Sequence, residues 1–203
     1  MITGRKVRLR APERSDAAKL WQWLNDEEAM YYWAAPGSTV SLAQVERVLE
    51  ADLAALPELS SVDPVGPWGR RYIIETLDGL AIGQIGYSPD TLPRHGVADI
   101  GIIIGEKDYW DKGYGTDAMM TLLDHLFNEQ RLHRVSLRVE EYNERAIVCY
   151  EKCGFVREGL LREQRFIHGK RTNAIVMGIL RDEFDQRYQE YVAAAEPALA
   201  DLP

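Results

Sequence analysis

The chain has 203 residues, of which 46% are hydrophobic and 28% are charged, as expected for one globular domain with a small appendage. It has no apolar run of membrane-spanning length, and no apolar segment follows its basic N-terminus. We therefore predict a cytoplasmic protein without a membrane helix or a secretory signal. The net charge of −8 argues against nucleic-acid binding and mildly favours a cationic substrate, although such a charge also serves solubility.

Cysteine and histidine positions give no metal-binding pattern. The two cysteines, Cys149 and Cys153, lie one helical turn apart without a Cys-x-x-Cys pair, and the four histidines are scattered. Neither set has the spacing of zinc ligands, so we predict no metal site. Because no base lies near them in the sequence, both cysteines are expected to be core thiols.

Hydrophobic periodicity and turn residues predict alternating strands and helices in the first half of the chain. In chain order these are an edge strand over Val7–Arg10, a helix over Ser15–Asp26, a helix after a Ser41/Gln44 capping box, a loop over Pro57–Gly69, a hairpin of Arg71–Thr76 and Ala81–Tyr87, a loop over Ser88–Gly96 and an isoleucine-rich strand over Val97–Ile104.

The second half continues this alternation and predicts one mixed α/β domain with a helical tail. In chain order it contains a glycine loop over Tyr109–Thr116, an amphipathic helix from Ala118 to Phe127, a strand over Arg134–Val139, a helix capped by Asn143 and Gly154, a hairpin of Phe155–Ile167 and Arg171–Leu180, and a helical pattern from Asp182 to Pro197. The domain is predicted over residues 1–181 and the tail over residues 182–203.

The glycine loop carries the clearest chemical signal. Gly113 and Gly115 follow an apolar strand and open an amphipathic helix. Glycine lets the backbone approach a ligand closely, and the free N–H groups at a helix start attract phosphate. A tight strand-to-helix turn without a ligand gives the same local pattern, so the loop alone does not decide between them.

A second motif downstream decides in favour of a ligand. The stretch Asn143–Phe155 follows a strand and predicts one short helix that ends in Gly-Phe. Together with Trp110–Gly115 it resembles the GNAT superfamily of acyl-CoA-dependent N-acetyltransferases, over about residues 5–181. The segments Met30–Trp33 and Arg165–Met177 are similar to those of the bacterial spermidine N-acetyltransferases. Trp110 stands where the usual pattern has Gln or Arg, and an aromatic residue at this place resembles the subgroup that acetylates ribosomal-protein N-termini and polyamines.

The resemblance implies a single domain with a mixed, mostly antiparallel twisted sheet flanked by helices, and it implies acetyl-CoA as co-substrate. The pantetheine arm would pair with the strand containing Ile102, Ile103 and Ile104. The pyrophosphate would lie over the loop that contains Lys112, Gly113, Tyr114, Gly115 and Thr116. Asn143 would cap its helix and contact the CoA arm.

The resemblance also implies catalytic roles. Tyr150 matches the tyrosine that protonates the leaving thiolate as general acid. Asp99 would accept the amine proton or bind the ammonium group, with Glu140 and Glu141 as backups. The aromatic residues Tyr31, Tyr32 and Trp33 are predicted to line the acceptor pocket, where they would attract a cation.

Two other functions stay open from the sequence. One is a CoA-binding module of the same fold that performs no chemistry. The other is a dinucleotide-dependent oxidoreductase, which fits less well because Met119 lies near the place of the third glycine. The acceptor amine is not defined, because acceptor loops carry specificity and the fold does not. Exposed strand edges in such folds often pair between subunits, which allows a homodimer.

Overall fold

The computed structural model describes residues 1–33, 37, 39–54, 70–89 and 95–193. Within these residues, eight strands form one sheet. The strands are β1 (Ile2–Thr3), β2 (Val7–Arg10), β3 (Arg70–Thr76), β4 (Ala81–Pro89), β5 (Val97–Ile104), β6 (Arg134–Glu140), β7 (Val156–Ile167) and β8 (Lys170–Leu180). They confirm the predicted mixed α/β class and the predicted strand segments.

The spatial order of the strands is β1-β2-β3-β4-β5-β6-β8-β7. Neighbouring strands are antiparallel except β5 and β6, which run parallel in the middle of the sheet. The parallel ladder covers only Val97–Asp99 opposite Arg134–Ser136. Beyond these residues both strands continue without pairing to each other, so the sheet opens between them.

Helices cover the sheet and connect its strands. The described helices are α1 (Ala17–Leu24), α2 (Glu27–Tyr32), α3 (Leu42–Ala54), α4 (Tyr114–Asp124), α5 (Glu144–Lys152) and α6 (Arg181–Ala193). The predicted Ser41/Gln44 capping box is present, since the two residues exchange backbone-to-side-chain hydrogen bonds. None of the described helices is long and apolar enough to cross a membrane.

The predicted single helix over Ser15–Asp26 is wrong at both ends. A 3₁₀ turn precedes α1, and α1 ends at Leu24. Asp26 then caps a separate helix, α2, by accepting a hydrogen bond from the Ala29 N–H at 2.9 Å. The carboxylate satisfies a backbone donor that a continuing helix would have used, so the chain starts a new helix here.

Three further sequence predictions differ from the structure or lie outside it. Val7–Arg10 is not the outermost strand, because the short β1 pairs with its free edge. The predicted loop over Pro57–Gly69 lies outside the described residues, as do most of the second loop and the tail beyond Ala193. Within the tail, Phe184 is fully buried and stacks on Phe127 at 4.8 Å.

The main core lies between the sheet and helices α4 and α5. In α4 and the turn that follows, the predicted apolar face from Ala118 to Phe127 is buried, apart from polar positions. The core also includes residues of strands β2 to β6 and β8. A smaller cluster of buried residues joins α1 and α3 to β3. These contacts hold the start of α4 at the opening between β5 and β6.

Asp117 ties the N-terminal chain to the first turn of α4. Its buried carboxylate accepts backbone N–H bonds from Arg5, Lys6 and Val7, and it also accepts the Tyr191 hydroxyl. Hydrogen bonds to a charged acceptor are among the stronger side-chain interactions. The glycine loop is therefore held in place by residues from both ends of the described chain.

Replacing Asp117 with asparagine is expected to lower the free energy of unfolding by about 2–3 kcal/mol, because an amide group turns one acceptor into a donor facing backbone N–H groups. Urea unfolding followed by circular dichroism measures this loss. The control is Asp185→Asn, whose exposed partner is Arg181; its effect should stay within about 0.5 kcal/mol. Equal losses in the two variants would contradict the anchoring role.

Candidate active site

A cavity of about 700 Å³ occupies the opening between β5 and β6. Its walls include Ile100–Ile104 of β5 and Leu137–Glu140 of β6, both beyond the parallel ladder. The facing edges of these segments have peptide groups without a ladder partner. Such an opening accepts an extended ligand that hydrogen-bonds as an additional strand.

The glycine loop closes one end of this cavity. Gly113 has φ of 82° and precedes the first residue of α4, a conformation that glycine adopts without steric cost. The first intrahelical bond joins the Asp117 N–H to the Gly113 carbonyl. The N–H groups of Tyr114, Gly115 and Thr116 come before that bond, so they are free to bind an anion.

Most of the predicted donor-site residues line the cavity. These are Ile102, Ile103, Ile104, Gly113, Gly115, Thr116 and Asn143. Two predicted residues do not line it: Lys112 is exposed, and the Tyr114 ring packs against Tyr109 at 4.9 Å between centroids. The Lys112 carbonyl instead accepts a hydrogen bond from Lys6 Nζ at 2.9 Å.

Asn143 is engaged on both sides of its amide. Its side-chain oxygen accepts from the Ala146 N–H at 3.2 Å, which confirms the predicted cap of α5. Its nitrogen donates to the Tyr32 carbonyl at 3.2 Å, and the neighbouring Tyr142 hydroxyl donates to the Tyr31 carbonyl at 2.9 Å. These two bonds attach the end of α2 to the start of α5.

Tyr150 lies on the inner face of α5 and lines the cavity. It is 7% exposed, and burial raises the pKa of its phenol. Its ring packs edge-on against Phe155 at 6.0 Å between centroids. Among the described residues, no side chain or backbone group hydrogen-bonds its hydroxyl. A protonated phenol with a free O–H faces the cavity and is available as a proton donor.

Two of the carboxylates that line the cavity, Asp99 and Glu140, have different surroundings. Asp99 is exposed at the closed end of the β5–β6 ladder and accepts the Ser136 hydroxyl. Glu140 is buried at the end of β6, where Thr172 Oγ1 donates to it at 3.2 Å and Arg165 Nε at 3.3 Å. Burial raises the pKa of Glu140 despite these two donors.

The predicted aromatic residues do not share one pocket. Tyr32 and Trp33 line the main cavity. Tyr31 lies in a second depression with Tyr142 and His168, and its ring centroid is 4.7 Å from that of Tyr142 and 5.6 Å from that of His168. Tyr32 also lines this depression, so the two spaces meet at its ring.

The second depression carries charge from α2. Asp26, Glu27 and Glu28 line it together with Lys107. Lys107 Nζ lies 3.0 Å from Asp26 and 2.9 Å from Glu28, so part of the negative charge is paired. Aromatic faces beside carboxylates form an environment that suits a cationic group.

Cys149 was expected in the core, but it is half-buried and lines the cavity, whereas Cys153 is fully buried. Cys149 Sγ lies 3.4 Å from Thr116 Oγ1, beside the glycine loop. A hydrogen bond from the Cys153 thiol lowers the pKa of Cys149. Among the described residues, no cluster of three or more His, Cys, Asp or Glu side chains could hold a metal ion.

The sequence interpretation gave no role to Arg145, which lines the cavity mouth. Its guanidinium carbon lies 3.7 Å from the Trp110 ring centroid and 4.7 Å from the Tyr32 ring centroid. The Trp110 indole N–H is occupied by the Ile104 carbonyl at 2.7 Å. The sequence signal that could have indicated a role for Arg145 is its place as a basic residue in the first turn of the helix capped by Asn143.

The fold and the cavity agree with a family comparison. The family model described as "Acetyltransferase (GNAT) domain" matches residues 6–156. The chain therefore belongs to the GNAT acetyltransferases, and it is an acetyl-CoA-dependent N-acetyltransferase. This result confirms the predicted family, fold class and co-substrate.

The chain is also similar to two curated acetyltransferases and to one solved structure. Spermidine N(1)-acetyltransferase of Escherichia coli (strain K12) is 31% identical over 184 residues, 91% of each chain. Aminoglycoside N(6')-acetyltransferase type 1 of Klebsiella pneumoniae is 30% identical over 159 residues, 75% of each chain. Spermidine N-acetyltransferase from Vibrio cholerae, solved with CoA and spermine, superimposes with a TM-score of 0.75 at 27% identity, over 88% of this chain and 98% of that one.

Proposed function

We propose that this enzyme transfers the acetyl group of acetyl-CoA to a primary amine that enters from the second depression. The observation that carries the proposal is the single cavity in which the unpaired edges of β5 and β6, the glycine loop and Tyr150 meet. One end suits a diphosphate, the walls suit an extended arm, and the interior holds a proton donor.

The donor is proposed to lie along β5 with its diphosphate at the start of α4. The peptide group of Ile102 faces an opening that has no adjacent strand, which supports an added-strand contact. The Ile103 carbonyl points the other way, toward Gly83 of β4, and the Ile104 carbonyl already accepts the Trp110 indole N–H. Backbone N–H groups in this segment would stabilise the oxyanion of the tetrahedral intermediate.

The proposed proton acceptor is Glu140, which supersedes Asp99 as the first candidate. A base works best when its pKa lies near the operating pH, and burial moves the pKa of Glu140 in that direction. Thr172 and Arg165 also fix the orientation of its carboxylate. Asp99 shows no comparable burial, since it is exposed and bonded to Ser136.

The reaction then moves two protons off the nitrogen. Glu140 removes the first from the ammonium group, and the neutral nitrogen attacks the thioester carbonyl carbon. When the carbon–sulfur bond breaks, the Tyr150 O–H donates its proton to the departing sulfur, which leaves as the CoA thiol. The acylated nitrogen loses its second proton, which restores the phenol, and Glu140 releases the first proton to solvent. The products are the N-acetylated amine, CoA and one proton.

The acceptor class is proposed to be a small molecule with more than one amino group. Tyr31, Tyr142 and the carboxylates of α2 surround the second depression and would hold a cationic end of such a molecule. The two curated relatives act on spermidine and on aminoglycosides, and both of these acceptors are amines. The net charge of −8 also favours a cationic substrate.

The test measures acetyl-CoA turnover with a panel of acceptors. The release of the CoA thiol reports the rate. The panel contains spermidine, an aminoglycoside, single amino acids and a short peptide with a free N-terminus. We expect faster thiol release with the first two than with the amino acids or the peptide. If no acceptor of the panel raises thiol release above hydrolysis, the proposed acceptor class is wrong.

A homodimer in the cytoplasm is the remaining part of the proposal. β7 is the outermost strand at one end of the sheet, and its side chains Leu160 and Phe166 are 51% and 65% exposed. An unpaired edge with exposed apolar residues is a surface on which two copies can pair. Sedimentation equilibrium measures the mass, and a monomer at micromolar concentration would contradict this part.

A further inference from the structure

Arg145 is a cation at the cavity mouth without an ionic partner. In the part of the chain that the structure describes, no carboxylate or carbonyl accepts a hydrogen bond from its guanidinium. Arg165, another cation of the cavity wall, is by contrast engaged with Glu140. An arginine whose N–H groups are unused beside a binding cavity has donors available for a ligand.

The orientation of this guanidinium is fixed by two aromatic rings. Trp110 lies at 3.7 Å and Tyr32 at 4.7 Å from its carbon, and the two rings are perpendicular with centroids 6.1 Å apart. Trp110 is itself held by its indole bond to the Ile104 carbonyl. These two cation–π contacts restrict the rotamers of the Arg145 side chain, which reduces the entropy lost on binding.

The cation shares its cavity with the anion-binding glycine loop. Trp110 precedes Gly113 by three residues, and Arg145, Gly113 and Thr116 line the same space. A planar guanidinium matches the oxygens of a phosphate group in a bidentate manner. The donor carries phosphate groups, whereas the acceptor is proposed to be cationic.

We infer that Arg145 binds a phosphate group of the donor and is held for that purpose between Trp110 and Tyr32. The inference rests on the proposed placement of acetyl-CoA in the cavity. It assigns to α5 a side-chain contact that complements the backbone N–H groups of α4. Because Tyr32 of α2 contacts the Arg145 guanidinium, the inference also connects this acceptor-side helix to the binding of the donor.

The experiment measures the affinities of CoA, 3'-dephospho-CoA and pantetheine by isothermal titration calorimetry. Arg145→Gln should weaken CoA binding about tenfold or more and leave the affinity for phosphate-free pantetheine unchanged. Arg145→Lys should fall between Arg145→Gln and the wild type, because it keeps the charge but loses the planar contact. If Arg145→Gln also weakens the binding of 3'-dephospho-CoA, Arg145 contacts the diphosphate. If the variant binds 3'-dephospho-CoA as tightly as the wild type does, Arg145 contacts the 3'-phosphate.

The matched control is Arg157→Gln, which removes the same charge from an arginine paired with Glu151 outside the cavity. Its CoA affinity should equal that of the wild type. Unchanged CoA affinity in Arg145→Gln, or an equal loss for all three ligands, would overturn the inference.

A second variant separates this outcome from a failure of the proposed donor site. Gly115→Val adds bulk at the start of α4, where a new Cβ would lie 3.7 Å from Cys149 Sγ and 3.9 Å from Ile104 Cγ1. We expect it to weaken CoA binding. If it does so while Arg145→Gln does not, the donor site stands and the role of Arg145 is wrong. If CoA binding is unaffected by Gly115→Val, the donor placement itself is wrong.

Discussion

Tyr150→Phe is expected to lower kcat by at least about 100-fold, within the usual range for loss of a general acid. The variant keeps the ring and its contact with Phe155 but removes the only proposed proton for the leaving sulfur. CoA affinity should stay within about twofold, because the hydroxyl acts on the leaving group during turnover. Thiol release and titration calorimetry measure the two quantities.

The matched control for this variant is Tyr87→Phe. Tyr87 is 6% exposed, close to the 7% of Tyr150, and burial also raises its pKa. It lies on β4 and does not line the cavity. Its kcat should remain near that of the wild type. Equal losses in the two variants, or no loss in Tyr150→Phe, would show that the phenol proton is not used.

Glu140→Gln is expected to lower kcat/KM about 100-fold at neutral pH, as for removal of a general base. In the wild type, kcat/KM should fall as the pH drops through the pKa of Glu140, because only the ionised carboxylate accepts a proton. That pKa is raised, so the fall begins above the ordinary carboxyl range. The variant should lose this dependence on acid pH.

The competing variant is Asp99→Asn. It makes the same carboxylate-to-amide change at a second carboxylate of the cavity wall. Asp99 would be the proton acceptor if two results were obtained. Asp99→Asn would lower kcat/KM more than Glu140→Gln does, and Glu140→Gln would keep the fall of kcat/KM at acid pH. Parallel pH profiles of all three proteins between pH 5 and about pH 9 decide this.

The raised pKa of Glu140 also has a consequence for stability. Folding favours its protonated form, so this contribution to stability is complete below the unfolded pKa and is lost as the pH rises through the folded pKa. The stability of Glu140→Gln relative to the wild type should therefore increase with pH across that window. Urea unfolding at several pH values measures the trend, and a decrease would contradict the assigned direction.

Local signals in the sequence were sufficient for most of the fold. The glycine loop, the Asn143 cap and the turn at Asp78–Gly79 depend on residues close together in the chain, and they lie where the sequence places them. The predicted helix ends close to the end of α1, but α2 was not predicted, because Asp26 was interpreted as the end of one helix and not as the cap of the next. A cap that competes with helix continuation is difficult to distinguish from a polar surface residue.

The parts of the site that the sequence could not predict depend on long-range contacts. The stack of Arg145 on Trp110 and Tyr32 joins α5, the glycine loop and α2, which are far apart in the chain. The difference between Asp99 and Glu140 is one of burial, which follows from the strands and side chains around them. Tyr31 and Tyr32 are adjacent in sequence and both line the second depression, yet only Tyr32 also lines the main cavity.

The short parallel ladder between β5 and β6 links the lifetime of this protein to its co-substrate supply. A ligand that fills the opening binds the folded chain only, and at a concentration 100 times its Kd it adds about 2.7 kcal/mol to the unfolding free energy. When a cell depletes acetyl-CoA and CoA together, we expect more unfolded chain and faster proteolysis. Enzyme abundance would then follow the metabolic state without a change in transcription.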